Sequence, residues 1–320
     1  MENEIYLDFE DIERNKWLKL LLFSGKVVKK ENDITIICRK KNINKIIKKL
    51  DKKLKETGIR NIVCSRTLLD NDEILNYLYN NEYTILNGNW LYKFLPYEIL
   101  NKISYVRNVS ISKLEVAILT NETSDVIIEN IKLIGRNCKI LNIVTEDCDN
   151  FLDLEKFFMK EYGILINVSS NKSKSLLHSD VIFNFNFDKN RLKKCNLNNN
   201  SILVQMNKEK FMRKNGVTIC SCKLSLPQKY FKFFNEYKNF DEDCLYEGLL
   251  YSKISFENVR KILKRDNIGI KYFIGNNGKI DFNEIRKKHL TNWKINTIII
   301  DVNKILKEVA WPWKKIKKYY

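Results

Sequence analysis

The residues best placed to do chemistry lie in two short stretches, Asn121-Glu122-Thr123-Ser124-Asp125 and Thr145-Glu146-Asp147. Each follows an apolar, β-branched run, Glu115 to Leu119 and Lys139 to Val144, and the first leads into a helical pattern. A turn between a strand and a helix N-terminus suits phosphate, because free backbone N–H groups and the helix dipole attract anions. Glycines normally build that turn in dinucleotide sites, since they let the backbone approach the pyrophosphate. Here the turn has no glycine, and Glu122 and Asp125 would repel phosphate. Asn121, Thr123 and Ser124 are the residues that would meet the phosphates. Glu146 stands where an acid would bond a ribose hydroxyl of NAD or NADP.

Other chemically suggestive groups have structural readings. Cys220-Ser221-Cys222 would put two thiols on one side of a strand, with no second ligand pair of the kind zinc sites show. His178 and His289 have no catalytic neighbours in sequence. Gly275-Asn276-Asn277-Gly278-Lys279 has two residues between its glycines where a phosphate loop has four, and Ile280 follows the lysine where Ser or Thr would bind magnesium, so it reads as a turn. Glu146, Asp147, Asp149 and Asp153 lack the alternation and glycine of a calcium loop. No metal site is expected.

The elements that would position these residues alternate between strand and helix. Strands are predicted at Ile34 to Cys38, Ile62 to Cys64, Tyr83 to Leu86, Glu115 to Leu119, Lys139 to Val144, Ile164 to Val168, Val181 to Phe185, Ile202 to Met206 and Thr218 to Cys222. Ile43, Ile46, Ile47, Leu50 and Leu54 fall at helical spacing between Asn42 and Glu56, with Gly58 beyond. Helices are also predicted at Phe9 to Leu22, Asp72 to Tyr79, Ser124 to Ile134, Phe151 to Tyr162 and Lys172 to His178, with a helical connector at Trp90 to Ile103. Past Leu226 come aromatic-rich helical pieces at Gln228 to Tyr237 and Glu257 to Lys264, then an extended run from Ile268 to Ile274. Asp281 with Glu284 resembles a capping box, and Ile295 to Asp301 is strand-like.

The central order of turn, helix, strand ending at Thr145-Glu146-Asp147, helix, strand and Ser179-Asp180-Val181-Ile182-Phe183-Asn184 resembles the nucleotide-binding half of two-domain oxidoreductases. Shikimate dehydrogenase and glutamyl-tRNA reductase are similar in carrying a "serine or alanine, aspartate, three apolar residues, asparagine" strand. The resemblance covers about a third of the chain and lacks both the glycine turn and the Asn-Val-Thr-x-Pro run of the shikimate type. It implies an α/β fold: a Rossmann-like, mostly parallel sheet domain over 111–226, preceded by a smaller α/β domain over 1–110. An α-rich C-terminal extension would occupy 227–320.

The chain has 320 residues, 44% of them hydrophobic, enough for two cores. Its 57 Lys and Arg against 39 Asp and Glu give a formal charge of +18, which attracts polyanions. The crowding of Lys, Asn and Ile in every segment, with few Ala and Pro, discounts that inference as codon bias. The tail from Trp311 to Tyr320 mixes rings with cations, so Trp311, Trp313, Lys314, Lys315, Lys317 and Lys318 would serve a nucleic-acid partner. Eight scattered cysteines and an acidic N-terminus suggest a reduced, cytoplasmic protein, and no apolar run reaches the roughly 20 residues of a membrane helix. Three functions remain: a Rossmann-like protein with a diverged dinucleotide turn, a nucleic-acid or anionic-surface binding module, and a non-catalytic scaffold or regulatory protein.

Overall fold

The computed structural model describes residues 4–11, 25–38, 43–171, 175–213, 215–251, 253 and 255–286. Its elements run β1 (Glu4–Asp11), β2 (Lys26–Lys30), β3 (Asp33–Cys38), α1 (Ile43–Lys55), β4 (Asn61–Cys64), α2 (Arg66–Leu69), α3 (Asp72–Asn80), β5 (Thr84–Leu86), α4 (Asn89–Tyr92) and α5 (Pro96–Arg107). They continue with β6 (Glu115–Leu119), α6 (Asp125–Gly135), β7 (Ile140–Val144), α7 (Leu152–Tyr162), β8 (Asn167–Ser169), β9 (Val181–Asn184), α8 (Lys189–Lys193), β10 (Ile202–Gln205) and β11 (Val217–Ile219). Last come β12 (Ser221–Ser225), α9 (Phe231–Glu236), α10 (Glu242–Tyr251), α11 (Phe256–Arg265), β13 (Gly269–Gly275) and β14 (Gly278–Lys279).

The chain divides into two compact units. One holds the described residues up to Leu95 together with Lys223–Gly269, and the other holds Pro96–Cys222 with the described residues from Ile270. This partition differs from the expected breaks at 110 and 226, because the segment after 226 returns to the N-terminal sheet.

That sheet has the order β2-β3-β1-β4-β5, parallel except for β2. A parallel sheet is buried on both faces. Helices α1 and α3 cover one face, packing Ile46, Leu50, Ile74 and Leu78 on Ile5, Leu7, Ile34 and Ile36. The other face is covered by residues 231–251. Tyr6 meets the rings of Tyr237 at 4.5 Å, Phe233 at 5.9 Å and Phe240 at 6.2 Å. Gly248 brings α10 so close to β4 that a Cβ there would lie 2.9 Å from Val63 Cγ2. Asp266 gathers Lys229, Tyr230, Tyr246 and Arg265 around one carboxylate; burial pushes its pKa up, and these donors outweigh that and hold it at about 2.

The helix expected from Phe9 to Leu22 is corrected at its start, where Phe9 to Asp11 complete β1, while residues 12–22 lie outside the described residues. Ile5, Leu7 and Phe9 pack on one face of β1, while Tyr6, buried as well, and the less buried Asp8 and Glu10 lie on the other, which is the period of two that a strand imposes.

The second unit contains a six-stranded sheet, all parallel, in the order β11-β10-β9-β6-β7-β8. Numbered by appearance from β6 and read from β8, this is 3-2-1-4-5-6, the Rossmann order. The strands are near-continuous apolar runs, buried from Val116 to Leu119 and from Leu141 to Val144, as a doubly covered sheet requires. Helix α6 buries Ile127, Ile131 and Ile134, with Val126 only half-buried, and α7 buries Leu154 and Phe158, with Phe157 half-buried. The run expected as one strand from Thr218 to Cys222 is two: Val217–Ile219 pairs with β10, then the Cys220 N–H donates to the Ile274 carbonyl and the chain leaves the sheet. The strand-like run at 295–301 and the 311–320 tail fall outside the described residues. Among the described residues no helix is long and apolar enough to cross a membrane.

Candidate functional site

In an open parallel sheet, ligands bind beyond the carboxyl ends of the strands where the strand order reverses. In the second unit that point lies between β6 and β9, whose last residues, Leu119 and Asn184, are register partners. The crevice is therefore bounded by Thr120-Asn121, Thr145-Glu146 and Phe185-Asn186, and it contains two of the four residues expected there, Asn121 and Glu146.

Asn121 ties all three strand ends together. Its backbone N–H donates to Asn186 Oδ1 at 3.0 Å. Its side-chain oxygen accepts from the Glu146 N–H at 2.8 Å and from Thr145 Oγ1 at 3.2 Å, while its Nδ2 donates to Glu146 Oε2 at 3.3 Å. The Glu146 carboxylate also lies 3.3 Å from Arg191 Nη2 on α8. Thus the oxygen that would bond a ribose is engaged by an amide and a guanidinium. Thr123 and Ser124 stand exposed on the turn. Ser124 is the N-cap of α6 and makes no side-chain capping bond; its carbonyl accepts the Ile127 and Ile128 N–H groups.

Two buried threonines shape the turns beneath. Thr120 Oγ1 accepts the Glu122 N–H at 3.0 Å, and Thr145 Oγ1 accepts the Asp147 N–H at 3.1 Å. Both follow the pattern apolar, Thr, polar, acid (Leu119-Thr120-Asn121-Glu122 and Val144-Thr145-Glu146-Asp147), a repeat visible in the sequence. Asn184 closes the third end: it donates to the Phe187 carbonyl and to Gln205 Oε1 and accepts the Phe187 N–H. The asparagine of the Ser179-to-Asn184 run thus anchors a loop.

The rim of this crevice is acidic in an otherwise basic chain. Glu122, Glu146, Asp147 and Asp188 lie on the loops that follow β6, β7 and β9, and Asp125 is the first residue of α6. The Asp188 carboxyl is held below its ordinary value chiefly by the Arg191 backbone N–H that it caps. Asn186, Arg191 and Thr120 were not among the expected site residues, and Thr145 was named only as part of the stretch that carries Glu146.

The other suggestive groups occupy structural positions. Gly275 and Gly278 pair across the β13–β14 hairpin, so Asn276-Asn277 is a two-residue turn, with Gly278 at φ 105° supplying the left-handed conformation. Cys220 and Cys222 are buried, with no disulfide between them, and burial raises the Cys220 pKa. His178 is exposed, and His289 lies outside the described residues. Among the described residues no group of three or more His, Cys, Asp or Glu is arranged to hold a metal ion.

No protein-family model matches this chain, and no curated protein does. Among solved structures, L-tryptophan dehydrogenase from Nostoc punctiforme is similar at 11% identity, over 92% of this chain and 88% of that one, with a TM-score of 0.30. A dipicolinate synthase chain from Bacillus halodurans is similar at 12% identity over 63% of each chain, also at 0.30. A putative aspartate carbamoyltransferase from Trypanosoma cruzi is similar at 18% identity over 64% of this chain and 70% of that one, at 0.25. These likenesses are weak. The Rossmann assignment rests on the strand order.

Proposed function

We propose that this chain is a cytoplasmic Rossmann-like protein, derived from dinucleotide-binding oxidoreductases, whose switch-point crevice is closed by its own side chains and which acts as a non-catalytic scaffold or regulatory protein. The single observation that supports this reading is Asn121, which takes the place of a phosphate-turn glycine and spends its hydrogen-bonding groups on Thr145, Glu146 and Asn186. A pyrophosphate entering here would have to break those bonds, at about 1 kcal/mol each. It would also approach Glu122 and Asp125 without glycine to shorten the distance. The test is titration with NADH and NADPH at low and moderate salt, followed by tryptophan fluorescence and calorimetry. No saturable heat or quenching is expected. Saturable, salt-tolerant binding that weakens in Glu146→Ala would reinstate a cofactor role for the crevice.

One observation favours a second reading, the polyanion-binding module. On α1, Lys45, Lys48 and Lys52 share one exposed helix face, where of the three only Lys52 has an acid, Glu56, within electrostatic reach among the described residues. Affinity for duplex DNA that falls steeply with salt, and is reduced when these three become Gln, would support it.

A further inference from the structure

We propose that the outer face of α7 is a homodimer interface, formed by two antiparallel copies of this helix. Helix α7 buries Leu154 and Phe158 inward, and its opposite side carries a second apolar stripe. Leu152, Glu155, Lys156, Met159 and Lys160, at spacings i, i+3, i+4, i+7 and i+8, line a shallow groove of about 400 Å³ closed by Leu165. Of the nine large apolar side chains exposed among the described residues, three line this groove: Leu152 at 43%, Met159 at 46% and Leu165 at 66%. Such clustering at one place marks an interaction surface, whereas scattered exposed apolar residues carry no such meaning.

The occupant follows from the order of residues along the stripe. From either end it reads apolar, charged pair, apolar, with an acid on one side of the centre and a base on the other. A two-fold axis at the midpoint between Glu155 and Lys156 sets Leu152 against Met159 of a second copy and Glu155 against its Lys156, twice over. A two-fold interface must be complementary to itself in this way. The antiparallel arrangement also opposes the two helix dipoles favourably. Lys156 has only a loose partner within its own helix, Asp153 at 3.5 Å, and both are well exposed, so it is available to the second copy. One helix pair is smaller than the roughly 1,600 Å² of a standard stable interface, so the dimer should be weak and depend on concentration.

Sedimentation equilibrium from about 1 to about 300 µM tests this, since that range spans weak self-association. The wild-type chain should pass from monomer to dimer. Glu155→Lys and Lys156→Glu each turn both symmetric attractions into repulsions and should raise the dissociation constant at least about tenfold. The double variant E155K/K156E restores the pairing with its sense reversed and should recover the dimer. Both side chains sit on a helix surface, so the variants keep the fold, which circular dichroism verifies. A wild-type monomer across the whole range would overturn the proposal and leave the stripe to a different partner. A dimer that ignores the single swaps, or a double variant that stays monomeric, would overturn it equally.

Discussion

Replacing Glu247 with Ala should destabilise the N-terminal unit by about 3 kcal/mol, although the residue lies more than 150 positions from the groups it serves. Glu247 is wholly buried on α10 and accepts hydrogen bonds from the Gly88 N–H at 2.6 Å and the Leu91 N–H at 2.8 Å. These belong to the orphan donors at the start of α4, a four-residue helix whose N-cap is Gly88 and which makes no side-chain capping bond of its own. Hydrogen bonds to a charged group contribute about 1.5–3 kcal/mol each, so two give roughly 3–6. Part of that is offset, because the wild-type carboxylate loses its hydration on burial, a cost of several kcal/mol for an ion that is not fully compensated. The net of about 3 kcal/mol keeps the two bonds and allows for that recovery. Glu247→Gln should cost nearly as much, since one carboxylate oxygen becomes an NH₂ facing an N–H donor. The assay is urea unfolding followed by circular dichroism and by tryptophan emission. Trp90 sits on α4 with the rings of Phe94 and Tyr251 4.6 and 5.1 Å away, so it reports this contact locally. A loss below about 1 kcal/mol in both variants would refute the reasoning, because Glu247 would then contribute no more than an ordinary surface residue to the start of α4.

Two further outcomes test other parts of the structure. Gly135→Ala would place a Cβ 2.6 Å from Phe158 Cε1 and 3.1 Å from Leu141 Cδ2, inside a packed core, and should cost about 1–3 kcal/mol in thermal or urea unfolding. The Asp243 pKa is raised from 3.8 to about 6, mainly by burial and also by the neighbouring Asp241 carboxylate, against the pull of Lys223. A carboxyl with a raised folded pKa stabilises the fold fully below its unfolded value and loses that contribution as pH rises through the folded value. Stability should therefore fall by about 3 kcal/mol between about pH 4 and pH 6, at 1.36 kcal/mol per pKa unit, and Asp243→Asn should remove that slope from the unfolding curve.

The alternation of strand and helix was legible because it depends on local pattern. The β-branched run from Val116 to Leu119 has no polar residue to expose, and the spacing of Ile43, Ile46, Leu50 and Leu54 builds one helical face whatever lies around it. Strand β1 was not legible as a strand, because Glu4, Asp8, Glu10 and Asp11 break its apolar run into short pieces, and its last residues, Phe9 to Asp11, read as the start of a helix toward Leu22. The return of residues 223–269 to the N-terminal sheet was not legible. Nothing local in Tyr237 or Gly248 says that Tyr6 and Val63 lie against them. At the crevice, the residue types at Asn121 and Glu146 marked the place, whereas their bonds could not be read. Those bonds reach 24 or 25 residues along the chain to Thr145 and Glu146 and 65 to Asn186, a juxtaposition that only the strand order 3-2-1-4-5-6 creates.

The closed crevice is tested most directly by amide hydrogen exchange at Asn121 and Glu146, with and without saturating NADPH. Both N–H groups are bonded by side chains of the crevice, so both should exchange slowly in the free protein and should keep the same rates when NADPH is added. Fast exchange at both in the free protein, or protection that appears only with NADPH, would contradict a crevice closed by its own side chains.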